Sequence, residues 1–399
     1  MIDDGPTRIL VTDAEQRSAL AIVRALGRAD HHVVVCSAVT RPLAAASRHA
    51  AAAALVADPL SAERQFVDDV AALVRKHRID VLLPVTEPSL LAVLAARDRF
   101  PDVTIPFPPL DVFRTVCDKM HVLREAEALG IRTPAQRVIE SRGDWTDGIA
   151  AELTYPLVLK PGRSVGESDG NRVKLGVTYA ASAAELREKV AALPPEAFPL
   201  LLQQRVEGTG VGVFLLVHDG RVVARFAHRR LREKPPSGGV SVYAESAPFD
   251  EELGERSRQL LHRLGWNGVA MVEFKRDAAT GVPYLMEING RFWGSLQLAI
   301  DAGVNFPVLL VDSARGRAPS APPAYQPGVR TRWWWGDVDH LIIRMRRSRA
   351  ALSLGSDAPG RGRALLEFLH LRARDRNEVL RLDDPAPFFR ESVQWLTRR

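Results

Sequence analysis

Through the first hundred residues, short apolar runs alternate with stretches whose apolar positions recur at helical spacing. Residues 8–12 (RILVT) read as a buried strand, 18–28 as a helix and 32–36 as a second strand. A helix follows from about Ser61, its expected N-cap, to His77, and 80–84 closes the unit as another strand. Strands alternating with helices predict a parallel sheet with ligands at the strand C-terminal ends. Asp13, Glu15, Ser37, Thr86 and Glu87 fall there, although ordinary loops carry the same residue types. No G-x-G-x-x-G follows the first strand, so a dinucleotide is not expected, and the unit is assigned to the substrate side.

Proline-rich 101–109 ends that unit. Asp118 and Lys119 then open a helix over 120–129 that Gly130 stops. Residues 154–161 form a strand with Lys160 at its end, and 161–171 form a polar loop with Gly162, Gly166 and Gly170 before a strand over 172–177. Strands are expected at 200–206, 211–217 and 221–227, and 228–246 is expected as a long polar loop. Its His228, Arg229, Arg230 and Arg232 beside Ser237 favour an anionic substrate or phosphate. A helix over 251–264 stops at Gly265.

The densest chemistry lies in 272–295. Residues 269–275 and 283–288 read as strands of one hairpin, joined by a polar turn containing Gly281. Glu273 and Glu287 then sit on neighbouring strands, and Asn289 points to the same side as Glu287, because side chains in a strand alternate with period two. Glu, Glu and Asn oxygens suit a hard cation such as Mg2+, with Mn2+ as the alternative. Arg291 offers a planar fork to a phosphoryl oxygen. A hairpin with exposed charges would share this composition, but Met286 and Ile288 flank Glu287 in alternation, which predicts a half-buried strand whose other face lines something.

Glu273 followed by E-I-N-G-R at 287–291 resembles the metal-binding signature of the ATP-grasp superfamily, of the carbamoyl-phosphate-synthase-like or carboxylate–amine ligase type. The resemblance spans about residues 109–312. It implies that Lys119 and Lys160 contact nucleotide phosphate, that the loop with Gly162 and Gly166 covers it, and that backbone groups at Arg205 and Val206 meet adenine. The chain departs from the family pattern at the hinge: Gln203 stands where Glu is usual, and Gly210 where the ribose carboxylate often lies, with Glu207 as the remaining acidic candidate. Glu273, Glu287 and Asn289 are the implied metal ligands, and Arg291 and Lys160 the implied catalytic residues.

The implied fold is a mixed α/β and α+β multidomain chain. It comprises an N-terminal parallel α/β (pre-ATP-grasp) domain at 1–108, a two-lobed ATP-grasp domain at 109–317 with its small lobe at about 135–205 and its large lobe at about 206–317, and a basic C-terminal extension at 318–399 packed on the body. The implied activity is ATP- and Mg2+-dependent activation of a carboxylate as an acyl phosphate, followed by attack of an amine or a thiol. A phosphotransferase acting on a hydroxyl and a non-catalytic ATP-binding regulator share these residues.

Composition adjusts this picture in three places. The chain has 399 residues, 46% apolar and 26% charged, which allows two or three cores of a globular protein. The net charge of +6 sits entirely in 330–399, where fifteen Arg face nine Asp or Glu. No nucleic-acid module accompanies that charge, and its arginines are interspersed with acidic and apolar residues, so a packed region is expected. Trp333, Trp334 and Trp335 at its front read as an interface anchor, and Leu366, Leu369 and His370 recur at helical spacing.

Only seven lysines occur among 54 basic residues, so a lysine here marks a place that needs a compact point charge. Cys36 and Cys117 lie in apolar sequence surroundings with no disulfide or metal-ligand spacing, which favours a reducing cytoplasm. No apolar run reaches membrane-spanning length. Small-molecule carboxylate and amine partners are expected, nucleic acid is not, and the sequence is compatible with a homo-oligomer.

Overall fold

The computed structural model describes residues 5–168, 171–352, 354–355, 358–370 and 372–397, with the backbone alone for Ser168 and Asn171. Strands β1 (Arg8–Val11), β2 (His32–Ser37), β3 (Ala52–Leu55) and β4 (Val81–Leu83) form a parallel sheet in the order β3-β2-β1-β4. Ile9, Leu10, Val11 and Val33 to Val35 are wholly buried, as both faces of a parallel sheet require. The helix expected to start at Ser61 is Glu63–His77 without a side-chain cap. Asp58 instead organises the preceding turn, accepting from Leu60 N at 2.9 Å and Ser61 Oγ at 3.4 Å.

A second, antiparallel sheet has the order β5-β10-β6-β9, from β5 (Gln136–Ile139), β6 (Leu157–Pro161), β9 (Thr178–Ala180) and β10 (Leu200–Gln204). It has its own small core of Leu157, Leu159, Leu186, Leu200 and Leu202. The expected glycine loop is largely a hairpin of β7 (Val165–Ser168) and β8 (Asn171–Lys174), because Val165 and Val173 give it strand register. Gly170 lies outside the described residues.

The third sheet runs β15-β14-β11-β12-β13-β16-β17, with β11 (Gly208–His218), β12 (Arg221–Lys234), β13 (Val240–Ser246), β14 (Gly268–Asp277), β15 (Pro283–Asn289), β16 (Arg330–Arg332) and β17 (Arg376–Asn377). Its Phe214, Phe226, Phe274 and Leu285 are fully buried and continuous with the core of the first sheet. The expected loop 228–246 is therefore two strands joined by a short turn. Its charges are paired: Arg229, itself exposed, with the buried Glu245, Arg230 with Glu273, Arg232 with Asp337 at 2.5 Å and Lys234 with Asp339 at 2.7 Å. Register shifts between Arg230 and Glu233 turn Arg232 toward Asp337 while Arg230 and Glu233 stay on the inner face, as β-bulges do.

Beyond Gln326 the chain returns along the body. β16 pairs with β13, Trp335 stacks on Trp395 at 4.2 Å between centroids, and Arg17 pairs with Glu378 under Trp333. Helical spacing misleads for Leu366 and Leu369, which face solvent, as does His370. Ala364 is the buried position of helix Arg361–Leu369, and Phe368 packs on Trp334. No single helix among the described residues is long and apolar enough to cross a membrane.

Burial pushes the Glu378 carboxyl from its ordinary 4.5 up to about 7, against the pull of Arg17 and with Glu391 adding to the rise. The folded protein then holds this proton more tightly than the unfolded chain does. Its contribution to stability is complete below about pH 4.5 and is lost as pH rises through 7. Glu378→Gln should therefore gain in melting temperature relative to the parent across that window and show a constant difference above it. A difference that shrinks with rising pH would refute the sign.

Candidate active site

β14 and β15 pair so that Glu273 lies directly opposite Glu287, and Asn289 Nδ2 donates to Glu287 Oε1 at 3.1 Å. Arg291 Nη2 donates to Asn289 Oδ1 at 3.0 Å. A bulge after Glu273 breaks the expected alternation on β15: Leu285 and Ile288 are buried, while Met286 and Glu287 both line the cavity. Glu273 also accepts from Arg230 Nη2 at 2.6 Å.

Burial favours the protonated form of both carboxyls. For Glu287 the charges of Lys119 and Lys160 and the bond from Asn289 outweigh it, holding the group below its ordinary value. For Glu273 burial, aided by the charge of Glu287, prevails over Arg230 and the pKa is raised.

The lysines approach from two other elements. Asp118 caps helix Lys119–Ala128, accepting from Met120 N and His121 N at 3.1 Å, which fixes Lys119 at the helix start. Lys119 is buried; its Nζ donates to Ser164 Oγ at 2.9 Å and its backbone N to Gly162 O at 2.9 Å. Lys160, at the end of β6, is also buried, which lowers its pKa against the pull of Glu287 and Glu273.

A cavity of about 370 Å³ lies between the second and third sheets. Lys160, Gln203, Arg205, Val206, Glu273, Glu287, Asn289 and Arg291 line it, so eight of the expected site residues meet there. Lys119 stands just behind, lining a one-water cavity with Glu87, Ser164 and Glu287. Gly162 and Gly166 do not line the large cavity: Gly162 donates to Pro199 O at 2.8 Å, and Gly166 lies in β7 against Glu196. Glu207 is exposed and outside the lining, while Gln203 is buried and donates to Gln136 Oε1 at 2.8 Å.

Of the strand-end residues in the first sheet, Asp13 is consumed by structure. It accepts from Val85 N and Thr86 N at 3.1 Å and from Ser89 Oγ at 2.6 Å. Glu15 and Ser37 bond to each other at 2.7 Å. Glu87 does reach the site. Burial raises its pKa, opposed by Arg291 and Lys119, and it bonds Cys117, so that cysteine is not in the apolar setting its sequence suggests.

Sequence reasoning missed Lys275, Tyr179, Ser164 and Trp293. Lys275 could have been found: it follows Glu273 by two residues, on the same strand face, and is one of the seven lysines. Ser164 carries no such signal, since only the folded hairpin brings it to Lys119.

Glu273, Glu287 and Asn289 supply hard oxygen donors, and no group of three or more His, Cys, Asp or Glu converges among the described residues. That donor set fits a Mg2+ ion sharing its shell with water and phosphate.

A parallel α/β unit, an antiparallel lobe and a large, mainly antiparallel sheet closing on such a cavity make up the ATP-grasp fold, and the chain has it. Residues 196–336 match the family model described as ATP-grasp in the biosynthetic pathway with Ter operon. Among solved structures, the L-amino acid ligase from Bacillus licheniformis superposes with a TM-score of 0.60 at 19% identity, covering 77% of this chain and 74% of that one. The biotin carboxylase domain of Hydrogenobacter thermophilus 2-oxoglutarate carboxylase, in complex with MgADP, ADP and bicarbonate, gives 0.62 at 16% identity, covering 81% and 73%. The N5-carboxyaminoimidazole synthetase from Staphylococcus aureus, complexed with ADP, gives 0.61 at 14%, covering 80% of each chain. No curated protein sequence matches this chain.

Proposed function

We propose that the protein is an ATP- and Mg2+-dependent ligase that activates a carboxylate as an acyl phosphate and transfers the acyl group to an amine. The observation that carries this reading is the convergence of Glu273, Glu287 and Asn289 with Lys160 and Arg291 on one cavity. Phosphoryl transfer is mostly positioning and charge neutralisation, which this set supplies. Glu273, Glu287 and Asn289 would hold the metal, which when bound neutralises phosphate charge. Lys119 and Lys160 present compact positive charge to phosphate oxygens, and Arg291 presents a planar fork to the transferring group. The cavity walls of Met271, Met286, Val158 and Phe274 give an apolar seat for a base near the backbone of Arg205 and Val206.

In the reaction, a substrate carboxylate oxygen bonds to the terminal phosphorus as ADP leaves. The amine nitrogen then bonds to the acyl carbon as phosphate leaves. An ADP-release screen of carboxylate and amine pairs with Mg2+, followed by product mass, tests this. The expected result is ADP, free phosphate and a condensed product. ADP without free phosphate, or no turnover with any pair, would overturn it.

Lys160→Arg keeps the charge but needs more room in a buried site. It should raise the apparent KM for ATP or lower turnover by about tenfold. Full activity of that variant in steady-state assays would remove Lys160 from the phosphate site.

A further inference from the structure

Arg230 holds its guanidinium on the inner face of β12 with only part of its fork in use. Nη1 donates to Glu233 Oε1 at 2.9 Å and to Gly239 O at 3.2 Å, and Nη2 donates to Glu273 Oε2 at 2.6 Å. Nε, on the same edge as Nη2, is buried without a partner. The side chain is only 12% exposed, and Glu273 is 17% exposed. Gly210 on β11 makes the room: a Cβ there would lie 3.0 Å from Arg230 Cδ. The residue type that breaks the family pattern at 210 is thus the one that lets Arg230 lie flat in the cavity wall.

An Nε–Nη2 edge accepts a planar carboxylate through two parallel hydrogen bonds. Here that edge carries one carboxylate oxygen, from Glu273, and has one unused donor. Glu273 is also the residue a divalent cation would claim. The phosphate-directed cations, Lys119, Lys160 and Arg291, lie on the side of Glu287 and Asn289, whereas Arg230 sits beyond Glu273 with Glu233. We propose that Arg230 is the docking group for the carboxylate substrate, and that Glu273 covers it until a divalent cation draws Glu273 away. The proposal rests on the metal reading of Glu273 given above. It orders binding: the cation comes first, and its arrival opens the Nε–Nη2 edge while Glu233 keeps the guanidinium in place. A carboxylate seated there lies beside the metal, where its phosphorylation takes place.

The test uses acetate as the carboxylate probe, followed by saturation-transfer NMR, and Mn2+ titration followed by electron paramagnetic resonance. In metal-free buffer the parent protein should show no acetate signal, and Glu273→Gln, which relaxes the cover, should show one. The double variant Glu273→Gln, Arg230→Lys should lose it, since an ammonium lacks the edge. In the parent, Mg2+ with ADP should switch acetate binding on, and in Arg230→Lys it should not. Arg230→Gln should bind Mn2+ at least as tightly as the parent, because Glu273 no longer leaves an ion pair.

Acetate binding to Glu273→Gln that survives the Arg230→Lys change would overturn the assignment. So would Mn2+ affinity in Arg230→Gln lowered by about tenfold, the size of one lost charge-assisted hydrogen bond, which would make Arg230 a prop for Glu273. Phosphate binding about tenfold tighter than acetate to Glu273→Gln would make the edge a phosphate site instead. A parent protein that binds no Mn2+ at all is a different failure, that of the metal reading itself.

Discussion

Glu287→Gln is expected to retain the fold and to lose ATP turnover by about a hundredfold or more, since changes even to groups that only support a metal ligand cost 10–100-fold. The carboxylate is the meeting point of the site: Asn289 bonds it, Lys119 and Lys160 supply the charges that hold it ionised, and Glu273 faces it across the strand pair. Gln has the same shape and can still accept from Asn289, so the hairpin keeps its register. What is lost is one negative charge where a divalent cation would sit. Circular dichroism reads the first half of this expectation and ADP release the second. Turnover at the parent rate would take Glu287 out of the site and with it the assignment of the whole 287–291 segment.

The strands that were legible from sequence are those whose apolar residues decide their fate locally. β1, β2 and β4 are short runs of Ile, Leu and Val, and β14 and β15 are apolar-rich segments flanking a polar turn closed by Gly281, which has φ +70°. β12 was not legible beyond Ala227, because its second half is Arg, Glu and Lys and local pattern calls that solvated. Its partners lie far along the chain: Glu273 is 43 positions from Arg230, and Asp337 is 105 from Arg232. β3 was missed for the opposite reason, since a run of Ala has too little bulk to announce a strand.

The same distinction runs through the site. Glu273, Glu287, Asn289 and Arg291 share one hairpin, so spacing alone brings them together. Glu87 reaches Lys119 and Arg291 only because helix Glu87–Ala95, capped by Thr86 and Ser89, starts at the edge of the first sheet facing them. The bulge that turns both Met286 and Glu287 into the cavity is a property of the pairing between strands. Neither strand alone encodes it.

Asp384→Ala should lower stability by about 3–5 kcal/mol, the cost of leaving one partner of a buried ion pair uncompensated. Arg24 is fully buried in helix Arg17–Arg28 of the N-terminal unit, and the last stretch of the chain supplies the acceptors for its guanidinium. Its Nε donates to Asp384 Oδ2 at 2.8 Å, its Nη1 to Val379 O at 2.9 Å and its Nη2 to Asp384 O at 2.7 Å. Asp384 also accepts from Ser47 Oγ at 2.7 Å and Arg48 N at 3.0 Å, so the substitution strips several donors at once. Burial lowers the Arg24 pKa even with Asp384 present, a sign that this charge needs its partner. Asp384→Asn keeps an acceptor and should fall between the two. Truncation after Gln326 removes Asp384, Val379, Glu378 and Asp337 together, uncovering Arg24, Arg17 and Arg232, and should abolish soluble expression or lower the melting temperature further than any single change. If 330–399 were instead a nucleic-acid arm, the truncated protein would melt like the parent and the full chain would bind DNA with an affinity falling steeply with salt. Thermal melts of the parent, Asp384→Ala and the truncated chain, beside a DNA titration at two salt concentrations, separate the two outcomes.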